Sequence, residues 1–175
     1  MFPLQTITAF DAFLAKRNLR FEAIVIGGSA LALLGHIDRQ TRDFDILQPL
    51  LSDDIARASH DFAKETDALA KDWLNNGPLQ LVDVLPEDWR TRLRPVFQGQ
   101  ALVLTTLGRS DLLRTKLFAL CDRGTDLLDC IALSPSKEEL NDAEPWVAQQ
   151  DANELWPAHV HETLDDLRAR LGYAL

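Results

Sequence analysis

The sequence predicts an α+β protein, in which helices flank a small mixed β-sheet and the C-terminal part is helical. Two observations lead to this fold class. Up to about residue 108, short apolar runs typical of strands alternate with segments of helical periodicity. Beyond that point every periodic segment is helical. We expect a domain over residues 1–133 and an acidic helical extension over residues 134–175 that packs on it.

Each predicted element has its own local signal. Apolar residues recur every three or four positions in the predicted helices, and Ser52 and Ser136 stand where N-caps are expected. An Asn-Asn-Gly-Pro turn separates the long third helix from the third strand. The predicted strands are 21–26, 43–47, 79–85 and 101–107, and the predicted helices are 4–16, 29–35, 52–74, 110–123, 126–133, 136–149 and 158–171.

The composition narrows the class of protein. A net charge of −9 gives no general basic surface for nucleic acid, although Arg90, Arg92 and Arg94 form a local basic cluster. We expect no contact with a membrane, because no apolar run approaches the ~18 residues that a spanning helix needs. Cys121 and Cys130 lack metal-binding or redox spacing, so we expect two free thiols in a reducing cytoplasm.

The stretch 21–47 carries the clearest chemical signal. A predicted strand runs into Gly27, Gly28 and Ser29, a turn whose amide groups suit the phosphates of a nucleotide. Asp43 and Asp45 then alternate with apolar residues, which places both carboxylates on one face of the second strand. Two carboxylates on one face repel each other, and Mg²⁺ between them would remove that cost.

Two further residues complete the predicted site. Metal-dependent phosphoryl and nucleotidyl transfer relies on two metal ions that clamp the attacking and leaving oxygens. Asp83 stands alone in the apolar run 79–85, so we expect it on a neighbouring strand as the third carboxylate ligand. Lys116 lies in an otherwise apolar helical register, where its ammonium needs an anion such as a nucleotide phosphate.

These residues resemble the signature of the DNA polymerase β-like nucleotidyltransferase superfamily. The signature pairs a Gly-Gly or Gly-Ser turn with an Asp-x-Asp motif and a later third acidic residue. A second block, which runs from Asp111 past Lys116 and Arg123 to Asp126 and Asp129, is similar to the Lys…Arg…Asp-x-x-Asp block of the abortive-infection (AbiEii-type) nucleotidyltransferase toxins and their small relatives. Together the two blocks cover residues 21–133.

The resemblance implies a nucleotidyltransferase fold and a role for each residue. Gly27, Gly28, Ser29 and Lys116 would bind a nucleoside triphosphate, and Asp43, Asp45 and Asp83 would hold two Mg²⁺ ions. Asp83 would also activate the acceptor hydroxyl as a general base. Asp126 would match the acidic residue of a later toxin motif.

The expected activity is transfer of a nucleotidyl group to an acceptor, which could be tRNA or another RNA, a protein or a small molecule. The protein could be the toxin of a toxin–antitoxin pair and have an antitoxin partner. The alternative is a catalytically inactive protein of the same fold that binds a nucleotide or a partner. An acidic surface tolerates a cationic small-molecule acceptor better than RNA.

Simpler interpretations of each residue remain open at the level of sequence. The glycine turn could be an ordinary strand-to-helix connection, and Asp43 and Asp45 could lie on a solvated strand face. Lys116 could extend to solvent along its helix. Asp126 and Asp129 are three residues apart and close to Arg123, which also fits a structural salt-bridge cluster.

Overall fold

The computed structural model describes residues 2–66 and 69–173. The chain divides into two compact units, Met1–Gly108 and Arg109–Leu175. The domain boundary expected after residue 133 falls inside the second unit, between its second and third helices. Among the helices in the described ranges, none is long and apolar enough to cross a membrane.

The first unit contains three helices, a five-stranded sheet and two 3₁₀ helices. The helices are α1 (Pro3–Lys16), α2 (Gly27–Leu33) and α3 (Asp53–Glu65). The strands are β1 (Phe21–Ile26), β2 (Phe44–Gln48), β3 (Leu74–Asn75), β4 (Arg94–Gln98) and β5 (Leu102–Thr106). The 3₁₀ helices are Leu79–Asp83 and Trp89–Arg92.

The sheet has the strand order β3-β2-β1-β5-β4, with β1 at its centre. Strand β1 is antiparallel to β2 and parallel to β5, while the outer pairs are β2 with β3 (parallel) and β4 with β5 (antiparallel). The predicted mixed sheet flanked by helices is therefore confirmed, and so is the α+β fold class.

One face of the sheet packs against α1, where an aromatic cluster forms the core. Phe10 of α1 lies edge-on to Trp73, with ring centroids 5.1 Å apart, and Trp73 in turn lies edge-on to Phe44 of β2. Phe62 of α3 contacts both Phe10 and Trp73. Phe10, Phe44 and Trp73 are almost fully buried. Each large aromatic ring removes much apolar area from water, so this cluster fixes α1 and α3 on the sheet.

The second unit is entirely helical in its described part. Its helices are α4 (Arg109–Arg123), α5 (Leu127–Leu133), α6 (Lys137–Val147) and α7 (Trp156–Arg170). The predicted capping box at Ser136 is present, because its hydroxyl accepts the Glu139 N–H and the Glu139 carboxylate accepts the Ser136 N–H. The predicted helical C-terminal part is confirmed.

The prediction of a third strand over residues 79–85 is wrong. Residues Leu79–Asp83 form a 3₁₀ helix between Pro78 and Pro86, and Asp83 is exposed at its end. The long helix predicted over 52–74 ends at Glu65, and the part of that prediction on residues 67 and 68 lies outside the described residues. Strands β3 and β4 were not predicted.

A carboxylate of α1 binds the turn between β4 and β5. Asp11 accepts hydrogen bonds from the backbone N–H groups of Gln100, Ala101 and Leu102, at 3.1, 2.8 and 2.8 Å. Gly99 belongs to the same contact, since a Cβ there would lie 2.3 Å from the Asp11 carboxylate. Burial raises the pKa of Asp11, but the three N–H donors lower it by more, so the pKa lies below its usual value.

We predict that Asp11→Ala destabilises the protein by about 1–3 kcal/mol, because three backbone N–H groups lose a charged acceptor and two of these hydrogen bonds are part-buried. Since the folded-state pKa of Asp11 is depressed, its contribution is complete at neutral pH. It declines as the pH falls below the ordinary carboxyl value of 3.8 and is lost through the lower folded-state value. Urea unfolding at several pH values measures the effect. Glu87→Ala, which removes an exposed carboxylate, is the control, and equal stability of the two variants would contradict the prediction.

Candidate functional site

The turn between β1 and α2 lies directly against the carboxylate of Asp45. Gly27 has a φ of +75°, and a Cβ at this position would be 2.6 Å from Oδ2 of Asp45. A side chain therefore faces two obstacles here, the left-handed backbone and the carboxylate. The glycine predicted as part of a phosphate-binding turn is thus required by the packing of the turn on a predicted metal ligand.

The hydroxyl of Ser29 points inward rather than toward solvent. Ser29 is buried, and its Oγ donates to the backbone carbonyl of Asp43 and lies 3.1 Å from the Thr41 hydroxyl. Ser29 and Thr41 thus fasten the start of α2 to the segment that leads into β2. In this arrangement Ser29 positions the backbone of Asp43, which is a different role from the direct phosphate contact that the sequence predicted.

Asp45 lies on the partly exposed side of β2, and Asp43, which directly precedes the strand, is also only partly exposed. Phe44 and Ile46, which alternate with them, are fully buried in the core. Neither Asp43 nor Asp45 is buried. Roles in metal binding or catalysis for these two residues remain predictions.

A β-bulge in β2 extends the face that carries Asp45. Ile24 pairs with Gln48 and Ile26 pairs with Asp45, and the register shifts between the two pairs. Paired residues of adjacent strands project to the same face, and Ile24 and Ile26 are two positions apart. Asp45 and Gln48 therefore share one face, although their spacing of three would separate them in a regular strand.

Asp83 does not occupy the predicted place beside Asp45. It is exposed on a 3₁₀ helix, and the residue paired with Asp45 on the neighbouring parallel strand is Asn75. Over residues 2–66 and 69–173, no three His, Cys, Asp or Glu side chains form a group that could hold a metal ion. Asp43, Asp45 and Asp83 therefore do not form the expected three-carboxylate group.

Asn75 is a short polar side chain at the position where a third carboxylate would stand. Its Oδ1 accepts a hydrogen bond of 2.7 Å from the Gly77 N–H, which shapes the turn after β3. The sequence offered no signal for it, because the strand that places Asn75 beside Asp45 has only two residues.

Arg39 is a second residue that the sequence analysis missed. Its guanidinium Nη2 lies 3.6 Å from the position of a Cβ on Gly28, so a cation stands next to the glycine turn. The side chain is exposed in the loop that precedes β2. The sequence feature that could have identified Arg39 is its positive charge in the polar loop between the glycine turn and the Asp-x-Asp motif.

In the second unit, Lys116 forms a buried ion cluster with two predicted acidic residues. Its Nζ lies 2.8 Å from Asp126 Oδ1 and 2.7 Å from Asp129 Oδ2, and all three side chains are buried. Arg123 adds a contact of 3.2 Å to Asp126. The salt-bridge interpretation of this block describes the observed geometry, and the predicted contact of Lys116 with a nucleotide has no counterpart in it.

The ion cluster shifts the pKa values of Lys116 and Asp126. Burial lowers the pKa of Lys116, but hydrogen bonds from its ammonium to Asp126 and Asp129 raise it by more, and the pKa lies above its usual value. Burial raises the pKa of Asp126, but Lys116 lowers it by more. Both shifts favour the charged forms, so Lys116 and Asp126 stay ionised at neutral pH.

The donor set of the first unit suits one Mg²⁺ ion bound together with phosphates. Mg²⁺ commonly uses one or two carboxylates and completes its shell with water and substrate phosphate oxygens. Asp45 supplies one carboxylate of this kind directly beside the glycine turn, and Asp43, two residues earlier, is the second candidate. The third carboxylate, which was expected to help bind a second Mg²⁺ ion, does not join this group.

Comparison with known protein families identifies the class of protein to which the chain belongs. Residues 3–134 match the family described as "Nucleotidyltransferase of unknown function (DUF6036)". The match covers most of the chain and includes both sequence blocks, so the protein belongs to this nucleotidyltransferase family. Searches of curated proteins and of solved structures give no match.

We predict that Gly27→Ala is clearly more destabilising than Gly35→Ala. Both glycines have a φ near +75°, but only Gly27 would place its new Cβ against Asp45, and Gly35 has no neighbour within 4 Å. The backbone term costs about 1–2 kcal/mol in each variant, and the clash adds about 1–3 kcal/mol at Gly27. Thermal and urea unfolding measure the difference. Equal destabilisation would mean that Asp45 moves away without cost.

We predict that Lys116→Met destabilises the protein by about 3–5 kcal/mol, because two carboxylates remain buried without a cation. The triple variant Lys116→Met/Asp126→Asn/Asp129→Asn should recover most of this loss, since it removes the buried charges together. Urea unfolding of both variants tests the ion cluster. Unchanged stability of Lys116→Met, with loss of nucleotide affinity, would instead assign Lys116 to the nucleotide site.

Proposed function

We propose that the protein binds a nucleoside triphosphate with Mg²⁺ and transfers its nucleotidyl group to an acceptor. The single observation that carries the proposal is the packing of the Gly27 turn on the carboxylate of Asp45, within a chain of nucleotidyltransferase family. This packing brings a phosphate-type turn and a metal-type ligand together in one unit.

The proposed roles follow from the positions of the side chains. Asp43 and Asp45 bind the metal ion, which offsets the charge of the phosphates when it is bound. The backbone of Gly27 and Gly28 faces the phosphates, and Arg39 beside Gly28 provides a cation for them. Ser29 acts indirectly, because it holds the backbone of Asp43.

The proposed reaction replaces one bond to the α-phosphorus by another. An oxygen of the acceptor forms a bond to the α-phosphorus, the bond from that phosphorus to the oxygen bridging to the β-phosphate breaks, and pyrophosphate leaves with the electron pair. The acceptor proton is released to solvent. Positioning and charge neutralisation supply most of the catalysis in reactions of this class.

The acceptor, a toxin role, an antitoxin partner and a cytoplasmic location are also part of the proposal. The resemblance of the Lys116–Asp129 block to AbiEii-type toxins motivates the toxin role. The two buried free thiols, Cys121 and Cys130, fit a reducing compartment. Growth arrest on expression that disappears with Asp43→Asn would support a toxin, and normal growth with an active enzyme would contradict it.

A second candidate is a protein that binds the nucleotide without transferring it. Asn75 favours this candidate, because an amide stands at the position beside Asp45 where a third carboxylate would serve as a base. Such a protein would retain the glycine turn, Asp43 and Asp45 for Mg²⁺ and phosphates.

We predict that Mg²⁺-dependent binding of ATP or another nucleoside triphosphate weakens about tenfold or more, equivalent to about 1.4 kcal/mol, in Asp45→Asn. The carboxylate that contacts the metal loses its charge while its shape is kept. Calorimetry with and without Mg²⁺ measures the binding, and Asp38→Asn, in the same unit, is the control. Equal affinity of wild type and Asp45→Asn for every triphosphate would overturn the proposed site.

Asn75→Asp separates the two candidate functions. The substitution is nearly isosteric, and the new carboxylate can still accept the Gly77 N–H. We expect it to strengthen Mg²⁺ binding because it adds a charged oxygen beside Asp45. Transfer of label from α-labelled triphosphates to acceptors, measured for both proteins, gives the answer. Label transfer by wild type supports the enzyme, whereas transfer by Asn75→Asp alone supports the binding protein.

A further inference from the structure

The face of the sheet opposite α1 contains an open pocket of about 600 Å³. This volume is in the range of small-molecule sites. Ile24 and Val103 supply its apolar floor, and Leu79 and Leu50 contribute apolar sides. Leu50, which lines this pocket, is 65% exposed.

Few polar residues line the pocket, and the only charge among them is negative. Glu22 is exposed, has no hydrogen-bond or ion-pair partner among the described residues, and is the only charged residue in the pocket lining. Gln48 and Thr105 are neutral. The Oε1 of Gln48 accepts a hydrogen bond of 3.0 Å from Arg90, so its amide N–H₂ is oriented away from that contact.

The pocket lies on the same face of the sheet as Asp45, one of the predicted metal ligands. Ile24 and Gln48 pair across β1 and β2 in the pocket, and the next pair on the same face is Ile26 with Asp45. Two residues along a strand span about 7 Å. A molecule in this pocket therefore lies within reach of a phosphate held at Asp45.

We propose that this pocket binds the acceptor and that the acceptor is a small organic molecule with a protonated amine. The role of this molecule as the acceptor rests on the proposed nucleotidyl transfer. Binding of the amine in the pocket does not, because it is inferred from the residues that line the pocket. The ammonium pairs with Glu22, and the hydrocarbon part covers Ile24 and Val103. Thr105 and Gln48 remain available for hydroxyl groups of the ligand. Phosphate-rich RNA is repelled by the same carboxylate.

The test compares two small probes of equal shape on the full chain. Cyclohexylamine is a cation at neutral pH, and cyclohexanol is its neutral counterpart. Backbone amide shifts of Glu22, Ile24 and Thr105 in an NMR titration locate and quantify binding. We expect the amine to bind about fivefold more tightly than the alcohol, the upper range for a solvent-exposed ion pair.

Three variants, one of them a control, test whether the preference depends on Glu22. Glu22→Gln should bind the two probes with equal affinity, and Glu87→Gln, a matched exposed carboxylate outside the pocket, should behave as wild type. In Val103→Lys the new ammonium stands directly opposite Glu22 in the β1–β5 register and competes with the ligand. We expect amine binding to be lost in this variant while circular dichroism shows the fold unchanged.

The results separate this inference from the proposed function. Amine binding that depends on Glu22, with no binding of Mg²⁺–ATP, supports the amine pocket and overturns the nucleotide site. If Mg²⁺–ATP binds but the amine and the alcohol bind with equal affinity, only the amine pocket is overturned. The same holds if Mg²⁺–ATP binds and the probes shift amide signals outside the pocket. The pocket assignment is also overturned if a short RNA shifts the amide signals of the same residues. Self-association through this face, detected by sedimentation, would overturn it as well. In an active enzyme, Glu22→Gln should raise KM for amine acceptors about fivefold and leave KM for ATP unchanged.

Discussion

The contact between the Gly27 backbone and the Asp45 carboxylate constrains the whole first unit. The contact accompanies the antiparallel pairing of β1 with β2, in which Ile26 lies beside Asp45 and Gly27 follows directly. The left-handed φ of Gly27 then directs the chain into α2. Ser29, two residues later, binds the segment before β2 and closes the loop. Sheet register, turn conformation and side-chain position are thus one linked arrangement.

The same arrangement explains why the bulge in β2 matters. A regular strand would alternate Asp45 and Gln48 between the two faces of the sheet. The extra residue of the bulge keeps the side facing α1 apolar and collects the polar side chains on the other side. The aromatic core and the polar face are therefore compatible in a strand of five residues.

Local patterns in the sequence were sufficient for the fold class and for the alternation of burial around Asp45. The glycine turn and the alternation of Asp43 with Phe44 are short-range features, and period-two burial follows from strand geometry alone. Asp83 was misplaced because an apolar run of strand type, bounded by prolines, forms a 3₁₀ helix instead. Asn75 was missed because pairing across β2 and β3 is a long-range register that no local pattern reports.

Strand β4 was missed for a related reason. Pro95 lacks an N–H and Arg94 is charged, which argues against a central strand but fits an edge strand. The spacing of Asp126 and Asp129 near Arg123 indicated a salt-bridge cluster as an alternative, but Lys116 was not expected to be part of it. Its buried geometry could not be derived, because burial of a lysine depends on how α4 and α5 pack.

The Asp11 contact has a consequence for the order in which the chain is made. Asp11 lies in the first helix, and its amide partners are about ninety residues further along the chain. The central strand β1 likewise pairs with β5, the last strand of the sheet. During synthesis, α1 and β1 must wait for residues near Leu102 before their contacts can form, so the unit acquires its native sheet late, when almost all of it has left the ribosome.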